Sequence, residues 1–267
     1  MSLLRVEWGM VAATAPALLA LLLVAAPLAA RAAPRQHGSP GRILLDGQPT
    51  EVRWTDGDSF KVESGPLRGF GTRLFGYNTL EAFGPVHRIA GLGPVALEQL
   101  ATSSAALLAA TTWSCRTEGK RDGYGRALIA CPDAAAALVR AGHAMVYAVE
   151  ARPDPALLAL QRRAQAAGRG MWAGGVPPEI ITSLHSAGEK DLKGKTPYDR
   201  LCDTRTGLTR LRQHRSTYQT CQEVCVGEGP LGSCMVYVPF ERRYHDRPGC
   251  LVRPAPGPRP QGPKRDR

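Results

Sequence analysis

Residues 73–81 have the sequence RLFGYNTLE, which combines a cation, an amide and a carboxylate in one short strand-like run. Arg73 opens the run and Glu81 closes it. A guanidinium can hold an anionic group such as a phosphate through two parallel hydrogen bonds, and a carboxylate can accept a proton from an attacking water. Between them stands Asn78, an amide at a place where a metal site would favour a carboxylate. These residue types indicate a site for an anionic group, and Asn78 raises the question of whether that site binds a metal.

Two further stretches place polar groups at the starts of predicted strands. TDGDSFKV, at 55–62, has Asp56 and Asp58 around a tight turn, and DGYGRALIAC, at 122–131, has Arg126 at the start of the return strand of a hairpin. Taken singly, an Asp-Gly pair is a common hairpin turn, and an arginine is an ordinary solvated charge. Their significance therefore depends on the three stretches taken together.

The elements that must position these residues follow from hydrophobic periodicity. Five short strands are predicted near 50–54, 58–63, 70–77, 112–116 and 126–131. Three helices are predicted over 94–111, 133–146 and 154–172. Because one helix is inserted between the third and fourth strands, the pattern favours a small closed α+β barrel over a doubly wound sheet. The five-stranded OB-fold β-barrel is the natural candidate.

Local signals set the ends of these helices. Pro94 lies near the first turn of the first helix. Asp133 is the predicted N-cap of the second helix, and Gly142 is its predicted end. Asp154 and Pro155 open the third helix.

In this order, the motifs resemble the staphylococcal nuclease family, whose members are also called thermonuclease-like. In that family, an Asp-Gly-Asp-Thr strand entry is followed by Arg-Leu-x-Gly-x-Asp-Thr-Pro-Glu, then by Tyr-Gly-Arg, by Leu-Val-Arg-x-Gly and by a late tryptophan. The corresponding residues here run from about Val52 to Trp172, nearly half of the chain. The resemblance implies the OB-fold barrel with three helices, and an enzyme that hydrolyses the phosphodiester bonds of DNA or RNA with Ca²⁺.

The resemblance also assigns catalytic roles residue by residue. Arg73 and Arg126 fall on the two arginines that hold the scissile phosphate. Glu81 falls on the residue that acts as general base or positions the attacking water. These types suit the reaction, because attack on a phosphodiester spreads negative charge over oxygens that planar guanidinium groups bind in pairs.

The resemblance further implies a calcium site made of oxygen ligands. Asp58 falls on a carboxylate ligand, Thr79 would contribute its backbone carbonyl, and Asp56 would be a nearby carboxylate behind them. The family's second carboxylate ligand falls on Asn78, whose carbonyl can still bind Ca²⁺ but lacks the formal charge. A unit charge about 4 Å from a dication contributes roughly 2 kcal/mol even in water, or about 30-fold in affinity. Calcium sites outside the cell work at about 10⁻⁴ to 10⁻³ M, so we expect a weakened but catalytic site.

Two other functions are compatible with the same residues. The substitution at Asn78 also fits a catalytically impaired nucleic-acid-binding module of the same fold. The cysteine-rich C-terminal part, which lies outside the resemblance, also fits an envelope structural protein that acts through that segment. The family's proline is replaced by Leu80, which removes no functional group.

The charge of the chain favours an anionic partner. The formal net charge is +11 over 267 residues, and from Lys190 to Arg267 there are 16 basic and 8 acidic residues, a net of +8. Nucleic acid, acidic polysaccharide and an anionic membrane surface all fit this charge. With the resemblance, nucleic acid is the expected substrate, and we expect a monomer.

The N-terminus is typical of an export signal. Val11 to Ala30 is an unbroken apolar run, and Ala30, Arg31 and Ala32 form a small-x-small cleavage pattern. No cysteine lies near the cleavage point, which argues against a lipoprotein. The prediction is a secreted or periplasmic protein without stable membrane association. The alternative is a membrane anchor formed by an uncleaved segment, since the apolar run is long enough to span a bilayer.

Export makes the seven cysteines disulfide candidates. Cys115 and Cys131 flank the predicted hairpin and could face each other across it. The pairing of the other five stays open, and their odd number leaves one thiol over. The other five are Cys202, Cys221, Cys225, Cys234 and Cys250. A zinc site from Cys221, Cys225, Cys234 and His245 is the alternative.

Composition divides the chain into predicted regions. They are a signal peptide (1–32), a disordered spacer (33–42), the nuclease-like OB-fold domain (43–175), a linker or extension (176–200), a cysteine-rich segment (201–252) and a disordered basic, proline-rich tail (253–267). The cysteine-rich segment matches no family pattern that the sequence suggests.

Overall fold

A computed structural model of the protein describes residues 38–149, 151–189, 192, 194–243 and 246–251. Its strands are β1 (Ser39–Leu45), β2 (Gln48–Trp54), β3 (Phe60–Val62), β4 (Thr72–Leu74), β5 (Gly76–Thr79), β6 (Val86–Ile89), β7 (Trp113–Arg121), β8 (Ala127–Ala130), β9 (Ala144–Tyr147), β10 (Glu179–Leu184), β11 (Tyr198–Asp203), β12 (Thr209–Gln213), β13 (Glu223–Val226) and β14 (Ser233–Val236). Its α-helices are α1 (Pro94–Ala109), α2 (Pro132–Ala141) and α3 (Pro155–Ala166). The predicted signal peptide (1–32) and tail (253–267) lie outside the described residues.

Six of these strands form a nearly closed, barrel-like sheet in the order β3-β2-β1-β7-β8-β4. The pairs β1–β7 and β4–β8 are parallel, and the others are antiparallel. A bridge between Lys61 and Gly71 joins β3 to β4 and so brings the two ends of the sheet together. The strand period of two places Trp54, Phe60 and Leu74 inside, where each is at most 1% exposed. The predicted α+β class is confirmed.

The third predicted strand, 70–77, is broken into two. β4 stays in the barrel, whereas β5 leaves it and pairs with β9. The chain changes direction at Gly76, whose φ of +90° is open to glycine and strained for other residues. This break brings Asn78 and Thr79, on β5, beside the barrel residues that precede them.

The three helices begin close to their predicted starts, but the predicted stretch 133–146 runs into β9, a strand that was not predicted, and the predicted stretch 154–172 runs beyond the end of α3. Asp154 caps α3 as predicted, because its side chain accepts hydrogen bonds from the backbone of Ala156 and Leu157. Gly142 ends α2 as predicted, with a φ of +72°. The prediction of Asp133 as the N-cap of α2 is wrong: Cys131 occupies that position, and Asp133 lies inside the first turn. Pro132 suits the first helical position, so the helix begins before Asp133.

Two predicted region boundaries need correction. The predicted spacer (33–42) overlaps β1, which begins at Ser39 and pairs with β2 along its whole length. The predicted linker (176–200) contains β10, where Ile180 and Ile181 are buried. These strands form because partners far along the chain complete them, which local proline and glycine content does not reveal.

Residues of the C-terminal part and residues from the part of the chain that contains the barrel pack into one buried cluster. β10, β11 and β12 form one sheet, and β13, β14 and β6 form another. In the second sheet, β6 comes from the segment that follows Glu81, so the cysteine-rich part pairs directly with that segment. Leu80, Leu97 and Trp172 share a buried cluster with Ile181 and Met235. The described residues therefore belong to one compact unit rather than to a barrel with a separate appendage.

Six cysteines are joined in three disulfides, Cys115–Cys131, Cys221–Cys250 and Cys225–Cys234. The first is the predicted hairpin bridge, which is confirmed. The seventh cysteine, Cys202, is buried and free. The alternative zinc site is wrong, because its three cysteines are oxidised and cannot act as thiolate ligands. Three disulfides fit an oxidising environment.

Among the described residues, no helix has the length and apolar character needed to cross a membrane. The predicted export signal, or its alternative as an anchor, lies outside those residues.

Candidate functional site

The loop between β2 and β3 and the pair of strands β4 and β5 build the site. Asp56 and Asp58 lie in that loop, and both are buried, at 3% and 2% exposed. Two contacts fix the loop against the strands: the amide of Leu74 donates to the carbonyl of Asp58 at 2.9 Å, and the hydroxyl of Tyr77 donates to the carbonyl of Gly57 at 2.9 Å. The carboxylates are therefore held by backbone contacts rather than by their own side chains alone.

Gly57 allows this close approach. A Cβ at this position would lie 2.5 Å from the methyl group of Thr79 and 3.0 Å from the Cβ of Ser104, on α1. Neither contact is tolerable without a shift of the loop. Gly57 is thus required because a side chain would clash with Thr79.

Arg73, on β4, forms the centre of the site. Its Nη1 makes an ion pair with Oδ1 of Asp58, and its Nη2 donates to Oδ1 of Asn78 at 2.6 Å. The other carboxylate oxygen of Asp58 accepts the backbone amide of Thr79 at 2.8 Å. The ring of Tyr147, on β9, lies below the guanidinium, with 5.9 Å between the guanidinium carbon and the ring centroid. Residues predicted from separate motifs therefore meet at one point.

Asp56 lies directly behind Asp58. Its Oδ1 accepts the backbone amide of Asp58 at 3.2 Å and the hydroxyl of Ser59 at 2.6 Å. Burial, together with the charges of Asp58 and Glu81, raises the pKa of Asp56 well above its usual value.

Glu81 follows β5 and belongs to the same electrostatic cluster. Burial and then the charge of Asp58 raise its pKa, whereas Arg73, Arg243 and Arg126 lower it. For Arg73, burial disfavours the charged form, but the carboxylates of Asp58, Glu81 and Asp56 outweigh burial and raise its pKa. Three carboxyl groups, those of Asp56, Asp58 and Glu81, thus share one guanidinium, which pairs directly with Asp58, and their crowding favours either protonation or a bound cation.

Arg126 sits at the edge of this cluster. Its Nε donates to Asp122 at 2.7 Å, and its guanidinium lies over the ring of Tyr124 at 5.6 Å. The backbone places it beside β4, since the amide of Ala127 donates to the carbonyl of Gly71 at 3.1 Å. The predicted second arginine is therefore oriented by Asp122 and affects Glu81 through its charge, without an ion pair to that residue among the described residues.

The oxygen atoms of the site suit a hard divalent cation in type and in charge. Oδ1 of Asp58 pairs with Arg73, and its Oδ2 accepts a hydrogen bond from the amide of Thr79. Oδ1 of Asn78 accepts from Arg73, and the carbonyl of Thr79 accepts from Nδ2 of Asn78 at 2.8 Å. Each of these oxygens keeps a second lone pair. The hydroxyl of Thr79 is buried and has no hydrogen-bond partner among the described residues. A dication here would offset the surplus carboxylate charge.

In the described part of the chain, another group of side chains has ligand atoms close enough together to consider for a metal. It consists of Glu223, Cys225 and Cys234, whose ligand atoms lie within 4.8 Å of one another. Because Cys225 and Cys234 form a disulfide, this group does not offer two thiolates. The oxygen cluster around Asp58 is therefore the better metal candidate by ligand chemistry.

Comparison with known proteins adds no family. No family model matches the chain, and no curated protein matches it.

Two contributors to the site were missed at the level of sequence. Tyr77 resembles any apolar strand residue, although its hydroxyl fixes the turn at Gly57. Arg243 lies in the cysteine-rich part and affects Glu81 across a small pocket that both residues line. No local signal marks Arg243, because the contact that brings it near arises from pairing between β14 and β6.

Proposed function

We propose that the protein is an exported, calcium-dependent nuclease with an OB-fold barrel, which hydrolyses phosphodiester bonds of DNA or RNA. The single observation behind this proposal is that Arg73 contacts both Asp58 and Asn78, with Glu81 in the same electrostatic cluster. Those residues come from separate motifs whose order resembles that of the staphylococcal nuclease family. Charged residues at the ends of unrelated strands would not be expected to converge in this way.

The arginines would bind the substrate. Arg73 is held by Asp58 and Asn78, so its planar guanidinium is pre-organised and loses little freedom when it binds a phosphate oxygen. Arg126 is held through Nε by Asp122, and its terminal nitrogens have no hydrogen-bond partner among the described residues. Two guanidinium groups would stabilise the charge that develops on the phosphate oxygens during attack.

Glu81 would take the proton of the attacking water. It must be ionised to do so, and its raised pKa means that activity should fall as the pH drops through that value. Asp58, Asn78 and the carbonyl of Thr79 would hold Ca²⁺, and the ion, when bound, would add positive charge beside the phosphate. The replacement of a carboxylate by Asn78 predicts that this site fills only at the calcium concentrations found outside cells.

The location and the basic charge support the same proposal. Three disulfides and the apolar N-terminal run fit a protein that works in an oxidising compartment. The net charge of +11 would attract the phosphate backbone without regard to sequence.

The test is digestion of single-stranded DNA, duplex DNA and RNA by the purified protein, with millimolar Ca²⁺ or with chelator. We expect calcium-dependent cleavage that Glu81→Gln and Arg73→Lys each reduce by about 100-fold or more. The matched controls are Glu63→Gln and Arg53→Lys, because Arg53 and Glu63 form an ion pair at 2.7 Å on the barrel outside the site. Absence of cleavage at millimolar calcium, or equal loss in the controls, would overturn the proposal.

One observation favours a second candidate, a nucleic-acid-binding module that does not cleave. Nδ2 of Asn78 donates to the carbonyl of Thr79, which is the group that the resemblance assigns to the metal. An asparagine that occupies this carbonyl disfavours metal binding. Binding to nucleic acid that weakens with salt, with no turnover and no effect of Glu81→Gln, would select this candidate.

A further inference from the structure

The cysteine-rich part of the chain covers the segment that follows Glu81. β14 pairs with β6, and the guanidinium of Arg247 donates to the carbonyl of Ala82 at 3.3 Å. Nε2 of His87 lies 3.0 Å from the carbonyl of Cys250. The disulfides Cys221–Cys250 and Cys225–Cys234 tie this part together. The backbone near Glu81 is thus held by residues far away in sequence.

A small pocket lies between the two parts. Glu81, Phe83 and Pro85 line one side, and Tyr237, Val238 and Arg243 are among the residues on the other. The pocket therefore has a carboxylate of the candidate site and a cation of the C-terminal part on its walls, with mostly apolar groups around them. Among the described residues, Glu81 and Arg243 form no ion pair, so the space between their charged groups is not closed.

Arg243 is held rigidly in this position. Its Nε donates to the carbonyl of Val238 at 3.2 Å. Its guanidinium lies near the rings of Phe83 and Phe240, at 5.4 and 5.6 Å from their centroids. Within the described part of the chain, its two terminal nitrogens have no hydrogen-bond or ion-pair partner. A guanidinium that is stacked and fixed through Nε keeps its outer N–H groups for an external anion.

We propose that Arg243 is a third phosphate-binding arginine of the site, which contacts a phosphate of a single-stranded nucleic acid on the Glu81 side. The inference rests on the proposed function, because it presupposes a nucleic-acid substrate. It gives the C-terminal part a role in the reaction: this part delivers a cation to the pocket that Glu81 lines, and its disulfides hold that cation in place.

Binding is measured by fluorescence anisotropy of a labelled single-stranded DNA over a range of salt concentrations, with chelator present to stop metal-dependent cleavage. For Arg243→Gln we expect affinity to fall about tenfold and the slope of log K against log salt to decrease by about 0.7, the value for one lost contact to a single strand. The control is Arg242→Gln, which removes the same charge from the neighbouring, exposed residue. It should change the slope by much less. Arg243→Lys should retain the slope and lose part of the affinity, because it keeps the charge without the planar fork.

A second readout separates substrate binding from a purely structural role. In cleavage assays with Ca²⁺, Arg243→Gln should raise KM about tenfold and leave kcat within about twofold, because it removes a contact to the bound strand while the groups at the reacting phosphate are unchanged. If the glutamine variant unfolds, the two tests are repeated with Arg243→Met, which keeps an unbranched aliphatic side chain and removes the charge.

The outcomes are distinguishable. If the wild-type protein neither cleaves nor binds nucleic acid, the proposed function fails and this inference fails with it. If the wild-type protein cleaves but the Arg243 variants match Arg242→Gln in slope and in KM, only the role of Arg243 is overturned.

Discussion

Nη2 of Arg73 donates a hydrogen bond of 2.6 Å to Oδ1 of Asn78. The same amide donates through Nδ2 to the carbonyl of Thr79 at 2.8 Å, so both ends of the side chain are used. A carboxylate at this position could accept from Arg73 but could not donate to Thr79. Asn78 therefore stabilises β5 and the site even when no cation is bound. It lacks the negative charge that a carboxylate would offer to a cation.

The first prediction concerns Asn78→Asp. The added carboxylate restores a unit charge beside the proposed cation and frees the carbonyl of Thr79, so calcium affinity should rise about 30-fold. Titration calorimetry with Ca²⁺ measures the change directly. Gln48→Glu, the same chemical change at an exposed residue of β2, is the control and should leave the affinity nearly unaltered. Equal affinity of wild type and Asn78→Asp would show that residue 78 is not a calcium ligand.

The second prediction compares two glycines with similar backbone conformations. Gly142 has a φ of +72° and Gly47 a φ of +79°, so alanine is strained by about 1 kcal/mol at either position. A Cβ on Gly142 would lie 2.1 Å from the carbonyl oxygen of Arg169, whereas a Cβ on Gly47 meets nothing within 4 Å. Gly142→Ala should therefore lower the free energy of unfolding by about 3 kcal/mol or more, against about 1 kcal/mol for Gly47→Ala. Urea unfolding measures both, and equal losses would contradict the tight contact between the end of α2 and residue 169.

These local rules explain how much of the fold could be predicted. Gly142 and Asp154 end and begin helices through backbone conformation and side-chain capping, which depend only on neighbouring residues. The bridge between Cys115 and Cys131 follows from a hairpin of predictable length. Motif order predicts that Asp58 and Arg73 lie at one site, and the structure brings them together, but their direct ion pair was not predicted.

What could not be predicted depends on partners distant in sequence. Pro40 and Gly41 suggest a loop, yet both lie in β1 because β2 supplies a full antiparallel partner. β10 follows a Pro-Pro pair that suggests a linker, yet Ile180 and Ile181 find a buried partner in β11. Arg243 reaches the pocket of Glu81 only through the pairing of β14 with β6. The same pairing shows that removal of the chain after about residue 188 would expose part of the core.

The third prediction concerns the thiols. Three disulfides leave Cys202 as the single free cysteine, and it is buried, with burial raising the pKa of its thiol to about 12. A buried thiol with a raised pKa has little reactive thiolate. Ellman titration should therefore find about one thiol per chain in denaturant without reductant, and close to none in the native state. The count should fall to zero in Cys202→Ala; a count near three in the denatured wild type would mean that one of the three disulfides is absent.

The fourth prediction concerns the pH dependence of stability without metal. The pKa of Glu81 is raised above its usual value of 4.5 by burial and then by the charge of Asp58. A carboxyl whose folded pKa is raised binds its proton more tightly in the folded state, so its contribution to stability is present below about pH 4.5 and is lost as the pH rises through the folded value. Glu81→Gln has no such loss. In chelator, the variant should therefore match wild type near pH 4 and become the more stable protein at pH 7.

Urea unfolding of wild type and variant across this range tests the sign. Glu63→Gln is the control: Glu63 forms a partly exposed ion pair with Arg53, so its removal should give no gain at pH 7 and a loss of at most about 1 kcal/mol. A gain specific to Glu81→Gln would mean that the folded protein holds an unfavourable charge at that position, as expected of a group that is kept for chemistry rather than for stability. If Glu81→Gln is instead less stable than wild type at pH 7, the negative charge of Glu81 is already compensated, and the cluster has no need of a cation.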